Sequence, residues 1–576
     1  VTVTLADAIE RAARATSGGF RFVEAGSTAS QGGEEFLPFA ALVAAADRAS
    51  AALAARGVAR GERVVLILAR PRDFIVAFLG AARLGAVPVP LYPPAGLRRP
   101  DAYAAATAPV LARARPRALV ADAPVLELFE RAGFTATPAI RVAAEPLRAD
   151  APPPAPARPA PPDPCFIQFT SGSTAAPRGV VVSHENLAAN VQAFMHEGLR
   201  VTPEDSGVTW LPLYHDMGLI GFVLGPLYTG NTVTFLAPPT FLKRPLRWLE
   251  AIARHRATVS FGPCSAYALV ARRAAGLDLG HLDLSSWRVA GCGAEPIHAP
   301  TLAAFAAALA PARFDPRALV ACYGLAEATL AVTFAALGRG LASERVAAGV
   351  LAREGRATPA AGVEDAVELV ACGRAFQGHE VAVFPREAGA SAAATSPLPE
   401  RIVGEIGVRG PSVTRGYFGE PPRDDPGGWL RTGDLGYLAD GELFVCGRAR
   451  ELVIVGGRNY FPQDLEEHAA AVPGVRRGHL VAFGALTTAG DRERVVLVVE
   501  ATARDPAARA AIARDVARAV SGATGLLVDE VHVVRAGALP KTSSGKLRRA
   551  EVRALHAAGR LSELGAASPS EPPAPG

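Results

Sequence analysis

Leu37–Gly57 reads LPFAALVAAADRASAALAARG, and Arg63–Ala69, shortly after it, reads RVVLILA. The first stretch carries an apolar helical rhythm and stops at Gly57, a residue suited to the left-handed position just past a helix end. The second is apolar on both faces, the pattern of a short strand buried in a parallel sheet. A further helical pattern over Asp73–Leu84 and the strand-like VPVPLY (Val87–Tyr92) repeat the alternation. Helix, strand, helix, strand predicts an α/β protein built on a parallel sheet.

The rest of the composition agrees. The 576 residues are 50% apolar and 20% charged, which predicts several domains' worth of buried core and excludes a disordered chain. A net charge of +5, spread without basic blocks, argues against a dedicated nucleic-acid binder. Of the 60 basic residues only Lys243, Lys541 and Lys546 are lysines, so arginine is the background against which each lysine is judged. Six scattered cysteines with no CxxC pair fit a reducing, cytoplasmic setting, and the first residues, VTVTLADAIERAARA, have acids where a signal peptide is basic. Met217–Leu242 is uncharged and long enough to span a bilayer. Its Pro226, Asn231, Pro238, Pro239 and four glycines instead predict buried strands and turns, hence no integral membrane segment.

Ala149–Pro164, ADAPPPAPARPAPPDP, has no core-forming capacity and is either a domain linker or a loop crossing between two lobes. Beyond Trp429–Gly447 the pattern changes. Strands such as Leu452–Val455 and Val495–Glu500 flank helices, one of them opened by Asp505-Pro506, and predict a small α+β domain ending near Gly559. A disordered tail is expected over 561–576.

Five loops carry candidate chemistry. In Cys165–His184, CFIQFTSGSTAAPRGVVVSH, two apolar strands flank Thr170, Ser171, Gly172, Ser173 and Thr174. Small hydroxyl residues around a glycine let N–H and O–H groups converge on phosphate oxygens; an ordinary Ser/Thr-rich hairpin loop is the alternative. Trp210–Gly221, WLPLYHDMGLIG, holds a His215-Asp216 pair, catalytic or structural. In Cys322–Thr329, CYGLAEAT, Glu327 is one acid in an apolar stretch: a metal contact, since a buried carboxylate needs compensation, or a solvent-facing side chain. Asp434 in RTGDLG and the later Arg448 either reach ribose hydroxyls or cap turns. In Leu539–Arg549, LPKTSSGKLRR, the Ser543-x-x-Lys546 spacing matches serine β-lactamases, but no SDN element or KTG strand accompanies it. Gly545-Lys546 on a polar loop suits an ammonium delivered by a mobile segment onto an anion. GCGAEP (Gly291–Pro296) lacks the third glycine of a dinucleotide fingerprint.

Taken in order, these segments resemble the adenylate-forming superfamily, over about Leu37 to Arg549, and most closely the fatty acyl-AMP ligases, relatives of acyl-CoA synthetases and peptide-synthetase adenylation domains. The closer likeness lies in LDLSSWRVAGCGAEPIHAPTL (Leu282–Leu302), CYGLAEATLAVTF (Cys322–Phe334) and GGRNYFPQDLE (Gly456–Glu466). A fourth segment, Glu344–Gly373, resembles an insert that this family carries and acyl-CoA synthetases generally lack.

The resemblance implies a large multi-lobed N-terminal domain over 1–449, with the insert near 344–373, and a small mobile α+β domain over 450–560. It implies ATP and Mg²⁺, a fatty or related carboxylic acid, and two half-reactions: acyl-AMP formation with release of pyrophosphate, then transfer to the phosphopantetheine thiol of an acyl carrier protein on a polyketide or peptide assembly line. Thr170, Ser171, Gly172, Ser173 and Thr174 would hold the pyrophosphate end. Gly293, Ala294, Glu295, Tyr323 and Gly324 would line the adenine, and Asp434 with Arg448 the ribose. Glu327 would bind Mg²⁺, and Lys546 would bridge the carboxylate and the α-phosphate. His215, Gly262, Cys264 and Tyr267 would line the acyl pocket, where Gly262-Pro-Cys-Ser-Ala-Tyr267 departs from the family's usual Pro-Asn-Phe-Ala-Tyr, and Cys292 stands where asparagine is usual. In this family the insert is thought to restrict domain movement and so disfavour CoA. An acyl-CoA synthetase is the alternative. A non-catalytic acyl-adenylate binder would not need Glu327, Asp434 and Lys546 together.

Overall fold

The computed structural model describes residues 2–14, 18–23, 33–94, 100–131, 138, 140–144, 147, 152–170, 177–360, 362, 366–386, 396–424, 426–455, 458–486, 493–541 and 546–565. The opening stretch folds into the helix Phe39–Ala55, with Gly57 at φ +82° just beyond it. RVVLILA becomes the strand Arg63–Ile67, lying parallel between Val87–Pro90 and Ala118–Ala121, with Ile140–Ala143 completing a four-stranded sheet. Val64, Val65, Leu66 and Ile67 are all buried, as a strand covered on both faces requires.

A nine-stranded sheet forms the centre of the molecule. Leu319–Gly324, Val289–Cys292, Val259–Gly262, Ser206–Thr209, Thr232–Leu236 and Gly19–Val23 run parallel side by side, and antiparallel strands close both edges. A third, antiparallel sheet holds Glu380–Phe384, Gly404–Arg409, Leu430–Ala439 and Glu442–Arg448. The Pro-rich connector is a crossing loop: Ala157 donates its N–H to the Arg83 carbonyl at 2.8 Å, on the helix Pro71–Leu84.

Two expectations change. Met217–Leu242 is mostly helical, with the single strand Thr232–Leu236. Pro238 opens Pro238–Lys243, where the missing N–H costs nothing, while Pro226 follows directly on the π-helical turn Ile220–Leu224 inside a continuous helical run over 216–229. Most of the segment's apolar side chains join the central core, while Leu242 is exposed, and no helix among the described residues is long and apolar enough to cross a membrane. In the expected tail, Leu561–Leu564 forms a helical turn with Leu561 packed beside Val481, Phe483 and Val552; 566–576 lie outside the described residues.

Beyond Arg448 the chain makes a three-stranded sheet, Val475–Leu486, Glu493–Ala501 and Glu530–Arg535, with helices Pro462–Ala470, Pro506–Thr524 and Arg549–Ala557. Asp505 caps the long helix through the Ala508 N–H at 2.9 Å, and Pro506 takes its first turn. This region has apolar clusters of its own, around Leu465, Leu497 and Val516 and around Phe483 and Val552.

Candidate active site

Three neighbouring parallel strands bring the candidate residues to one edge, the carboxyl ends where ligands of open α/β sheets bind. Val259–Gly262 ends at Gly262 and runs into a helix whose first residue is Cys264. Val289–Cys292 ends at Gly293-Ala294-Glu295, and Leu319–Gly324 carries Tyr323 and Gly324 before a single 3₁₀ turn that holds Glu327. In register, Gly262 lies opposite Cys292 and Cys292 opposite Ala321. Both glycines are needed for close approach. A Cβ on Gly293 would lie 2.6 Å from the Cys322 sulfur, and one on Gly324 would lie 1.9 Å from the Leu330 carbonyl oxygen. Ala294 holds φ +66°, a left-handed conformation that a non-glycine residue adopts at a cost of about 1 kcal/mol or more.

Asp434 is the centre of the best-ordered group. It lies opposite Arg448 on paired antiparallel strands, and Arg448 Nε donates to its Oδ1 at 2.9 Å. The Tyr323 hydroxyl donates to its Oδ2 at 2.8 Å, and its own N–H is held by Thr432 Oγ1 at 3.1 Å. Burial, and then the Asp434 carboxylate, push the Tyr323 phenol well above its ordinary range, while Asp434 raises the Arg448 guanidinium so that it holds its proton to still higher pH. A carboxylate fixed beside a neutral phenol and a guanidinium can accept from a vicinal diol.

Glu327 is half-buried, and the Tyr417 hydroxyl donates to its Oε1 at 2.9 Å. The Arg178 guanidinium lies 3.4 Å over the Tyr417 ring and pairs with Glu420 at 2.6 Å. A carboxylate steadied through one oxygen can still offer the other to a hard cation, so the residues fit Mg²⁺. Tyr417 and its neighbours were not legible as site residues; PSVTRGYFG (Pro411–Gly419) reads as a turn, and only the aromatic between two glycines marks it. Thr170 pairs with Arg178 at the mouth of the hairpin, whereas Ser171, Gly172, Ser173 and Thr174 lie outside the described residues.

The expected acyl side gathers around Tyr267, fully buried with its hydroxyl donating to the Gly291 carbonyl at 2.8 Å. A hydrogen bond with Cys292 holds the Cys264 thiol below its ordinary range. Ser265, the other departure in this stretch, donates its N–H and hydroxyl to Glu295 at 3.0 and 3.2 Å. Glu295 is thereby tied to the start of the helix that follows Gly262.

Lys546 comes from the far region of the chain and lies within electrostatic reach of His215 and Asp216. Burial, and then this ammonium, depress the His215 imidazole to about 4, so it is neutral at physiological pH. Burial raises the Asp216 carboxyl while Lys546 partly offsets the rise. Lys541 feels Glu295 in the same way. Across the same gap His298 Nε2 meets Glu467 Oε1 at 2.6 Å. In the stretch expected as an insert, the strands Ser343–Ala347 and Ala366–Val370 pair, Glu344 receives the Tyr437 hydroxyl at 2.5 Å, and the helix Ala348–Glu354 runs alongside the strand Arg458–Tyr460.

A family model described as AMP-binding enzyme matches residues 10–418. A Caulobacter vibrioides protein with a provisional acyl-CoA synthetase name is 39% identical, covering 91% of this chain and 91% of its own. A long-chain-fatty-acid–AMP ligase of Mycobacterium marinum is 35% identical over 85% of this chain and 86% of its own. A medium-chain fatty acid–acyl-carrier-protein ligase of Moorena producens is 34% identical over 69% and 68%. A solved structure from work on fatty acyl-adenylate ligases of E. coli and L. pneumophila superposes with a TM-score of 0.88, at 36% identity, over 97% of this chain and 98% of that one.

Proposed function

The chain belongs to the AMP-binding enzyme family and, within it, to the fatty acyl-AMP ligases, and on that premise we propose that it activates a fatty or related acid with ATP and passes the acyl group to an acyl carrier protein. A carboxylate oxygen attacks the α-phosphorus, the bond to the β-phosphate bridging oxygen breaks, and acyl-AMP and pyrophosphate form. The carrier's thiol then loses its proton, its sulfur attacks the acyl carbon, and AMP leaves with the bonding pair.

In this reading Asp434 accepts from the ribose hydroxyls while Tyr323 and Arg448 fix its orientation, and the Gly293–Glu295 turn and Gly324 flank the base. Glu327, steadied by Tyr417, would hold Mg²⁺, which when bound offsets phosphate charge. Two anions must meet, so the barrier is largely electrostatic, and groups already aimed at the developing charge supply most of the acceleration. Lys546 suits that work: a compact ammonium on a flexible stem threads between carboxylate and phosphate where the planar fork of arginine does not. Withdrawal of the small domain about Ala449/Arg450 then opens room for the thiol.

The observation that carries the reading is the meeting of Tyr323, at the end of a central parallel strand, with Asp434 and Arg448 of the antiparallel sheet, Lys546 acting electrostatically on His215 and Asp216. The acyl-CoA synthetase alternative draws support from the name of the Caulobacter relative; the insert alongside the strand that follows the hinge favours the carrier protein. The test supplies purified protein with ATP, Mg²⁺ and a panel of acids, then offers CoA or holo-carrier. We expect acyl-AMP and acyl-carrier with little acyl-CoA; efficient acyl-CoA formation selects the alternative, and no acyl-AMP with any acid sinks both.

A further inference from the structure

Glu530 and His532 stand two residues apart on the strand Glu530–Arg535, so their side chains share one face. His556, near the end of the helix Arg549–Ala557, packs against that face, its ring 5.6 Å from the ring of His532 and 5.5 Å from that of Phe483. The two imidazole Nε2 atoms converge on one carboxylate oxygen, Glu530 Oε2, at 2.9 Å from His532 and 2.8 Å from His556. The three candidate ligand atoms all lie within 4.8 Å of one another, and the side chains are only 15%, 6% and 10% exposed. The other carboxylate oxygen, Oε1, receives Arg494 Nη1 at 2.5 Å. Among the described residues this is the one group of three or more histidine, cysteine or acidic side chains close enough to share an ion.

We propose that Glu530, His532 and His556 form a binding site for a zinc-class transition-metal ion. Two imidazoles and one carboxylate are the donor set of open tetrahedral zinc sites, which leave a fourth position for water; Mg²⁺ and Ca²⁺ want an all-oxygen shell instead. Little movement is required. Ligands at about 2.0 Å from a tetrahedral ion stand about 3.3 Å apart, so the two Nε2–Oε2 separations of 2.9 and 2.8 Å open by less than a rotamer change. Each imidazole gives up its Nε2 proton, or shifts it to Nδ1, and the two Nε2–H···Oε2 hydrogen bonds become two N–metal bonds and one O–metal bond. Arg494 stays on Oε1 and fixes the carboxylate from outside, while its positive charge limits how tightly a dication is held.

The position gives the ion a consequence. Glu530 and His532 precede, and His556 follows, the loop that carries Lys541 and Lys546. An ion shared by the strand and the helix clamps the two ends of that loop together. This second part rests on the role proposed above for Lys546; the binding itself does not.

The test uses the full chain, stripped with a chelator and desalted. Titration with Zn²⁺ alone should give one equivalent bound with a dissociation constant below about 10 μM, undisturbed by millimolar Mg²⁺. Co²⁺ should give the intense visible bands of a four-coordinate ion. His556→Gln and His532→Gln, each checked for folding by circular dichroism, should weaken Zn²⁺ at least tenfold. Absence of saturable Zn²⁺ binding, a pale octahedral Co²⁺ spectrum on the unmutated chain, or unchanged affinity in folded variants overturns the site. If Zn²⁺ binds as expected but leaves pyrophosphate release unchanged in wild type, the clamp fails and the site stands. A protein that makes no acyl-AMP at all refutes the functional reading without touching the metal arms.

Discussion

Asp434 sits buried between Tyr323 and Arg448 with both carboxylate oxygens engaged, at 2.8 and 2.9 Å, whereas Lys546 is exposed on a loop just ahead of the helix Arg549–Ala557. One group is locked by the sheet that presents it. The other reaches the site only because a separate apolar core, around Leu465, Leu497 and Val516, carries it there. A nucleotide needs a fixed acceptor for its hydroxyls in both half-reactions, while the attacking carboxylate needs a cation in only one. The proposed function would thus assign rigid binding and movable catalysis to different parts of the chain.

The sharpest way to separate the two is Lys546→Ala. It should cut pyrophosphate release from ATP and acid by about 100-fold or more, with nucleotide binding, followed by calorimetry, changed little. Equal losses in binding and rate would place the lysine among the rigid groups. Asp434→Ala should do the reverse first, weakening nucleotide binding by about 10- to 100-fold and lowering stability by about 1–3 kcal/mol, because a buried phenol loses its acceptor. Thermal unfolding and nucleotide titration read both effects.

Tyr417→Phe tests the intermediate case, removing the hydroxyl that steadies Glu327 while keeping the ring under Arg178. The concentration of Mg²⁺ giving half-maximal adenylation should rise about tenfold, matching the roughly 1.5 kcal/mol or more expected for one hydrogen bond to a charged group, and saturating Mg²⁺ should restore the rate. If the loss persists at saturation, Tyr417 serves the fold rather than the ion.

The smallest effect is in pH. Glu467 raises the His298 imidazole, and His298 in turn lowers the Glu467 carboxyl. The histidine's contribution is full below its ordinary 6.5 and disappears as pH climbs through the raised value in the folded protein; the carboxylate's is full above its ordinary 4.5 and disappears as pH falls through the lowered one. The contact across the gap is thus strongest between those ordinary values and weakens on the alkaline side. Limited proteolysis after Arg448 or Arg450 should quicken as pH rises past neutrality in wild type, and His298→Gln should flatten that dependence.

What the sequence disclosed follows the range of the forces involved. Gly57, the strand Arg63–Ile67 and the Asp505-Pro506 helix start are decided by neighbours a few residues away, and each is found where the pattern puts it. Met217–Leu242 departs from the pattern of strands and turns because proline in an apolar run suits a helix start, as at Pro238, or a π-helical junction, as at Pro226, equally well. The acid Glu327 stands out as an anomaly among apolar residues, but Tyr417, ninety positions away, is marked only by the flanking glycines and meets that acid only when the chain is folded. The same holds for Ser265 on Glu295 and His298 on Glu467: each side chain is unremarkable until its distant partner is placed beside it.

The insert's helix, Ala348–Glu354, lies along a strand that begins only at Arg458, on the other side of the proposed hinge. A surface shared in one arrangement of the two domains and parted in the other enters the equilibrium between them directly, and each 1.4 kcal/mol shifts the ratio of populations about tenfold. Under the proposed function, choice of thiol would become a matter of dwell time: the longer the two regions held a closed arrangement, the rarer the opening for a freely diffusing acceptor, and the greater the advantage of a tethered one. Residues that never meet ATP, acid or thiol would set that clock.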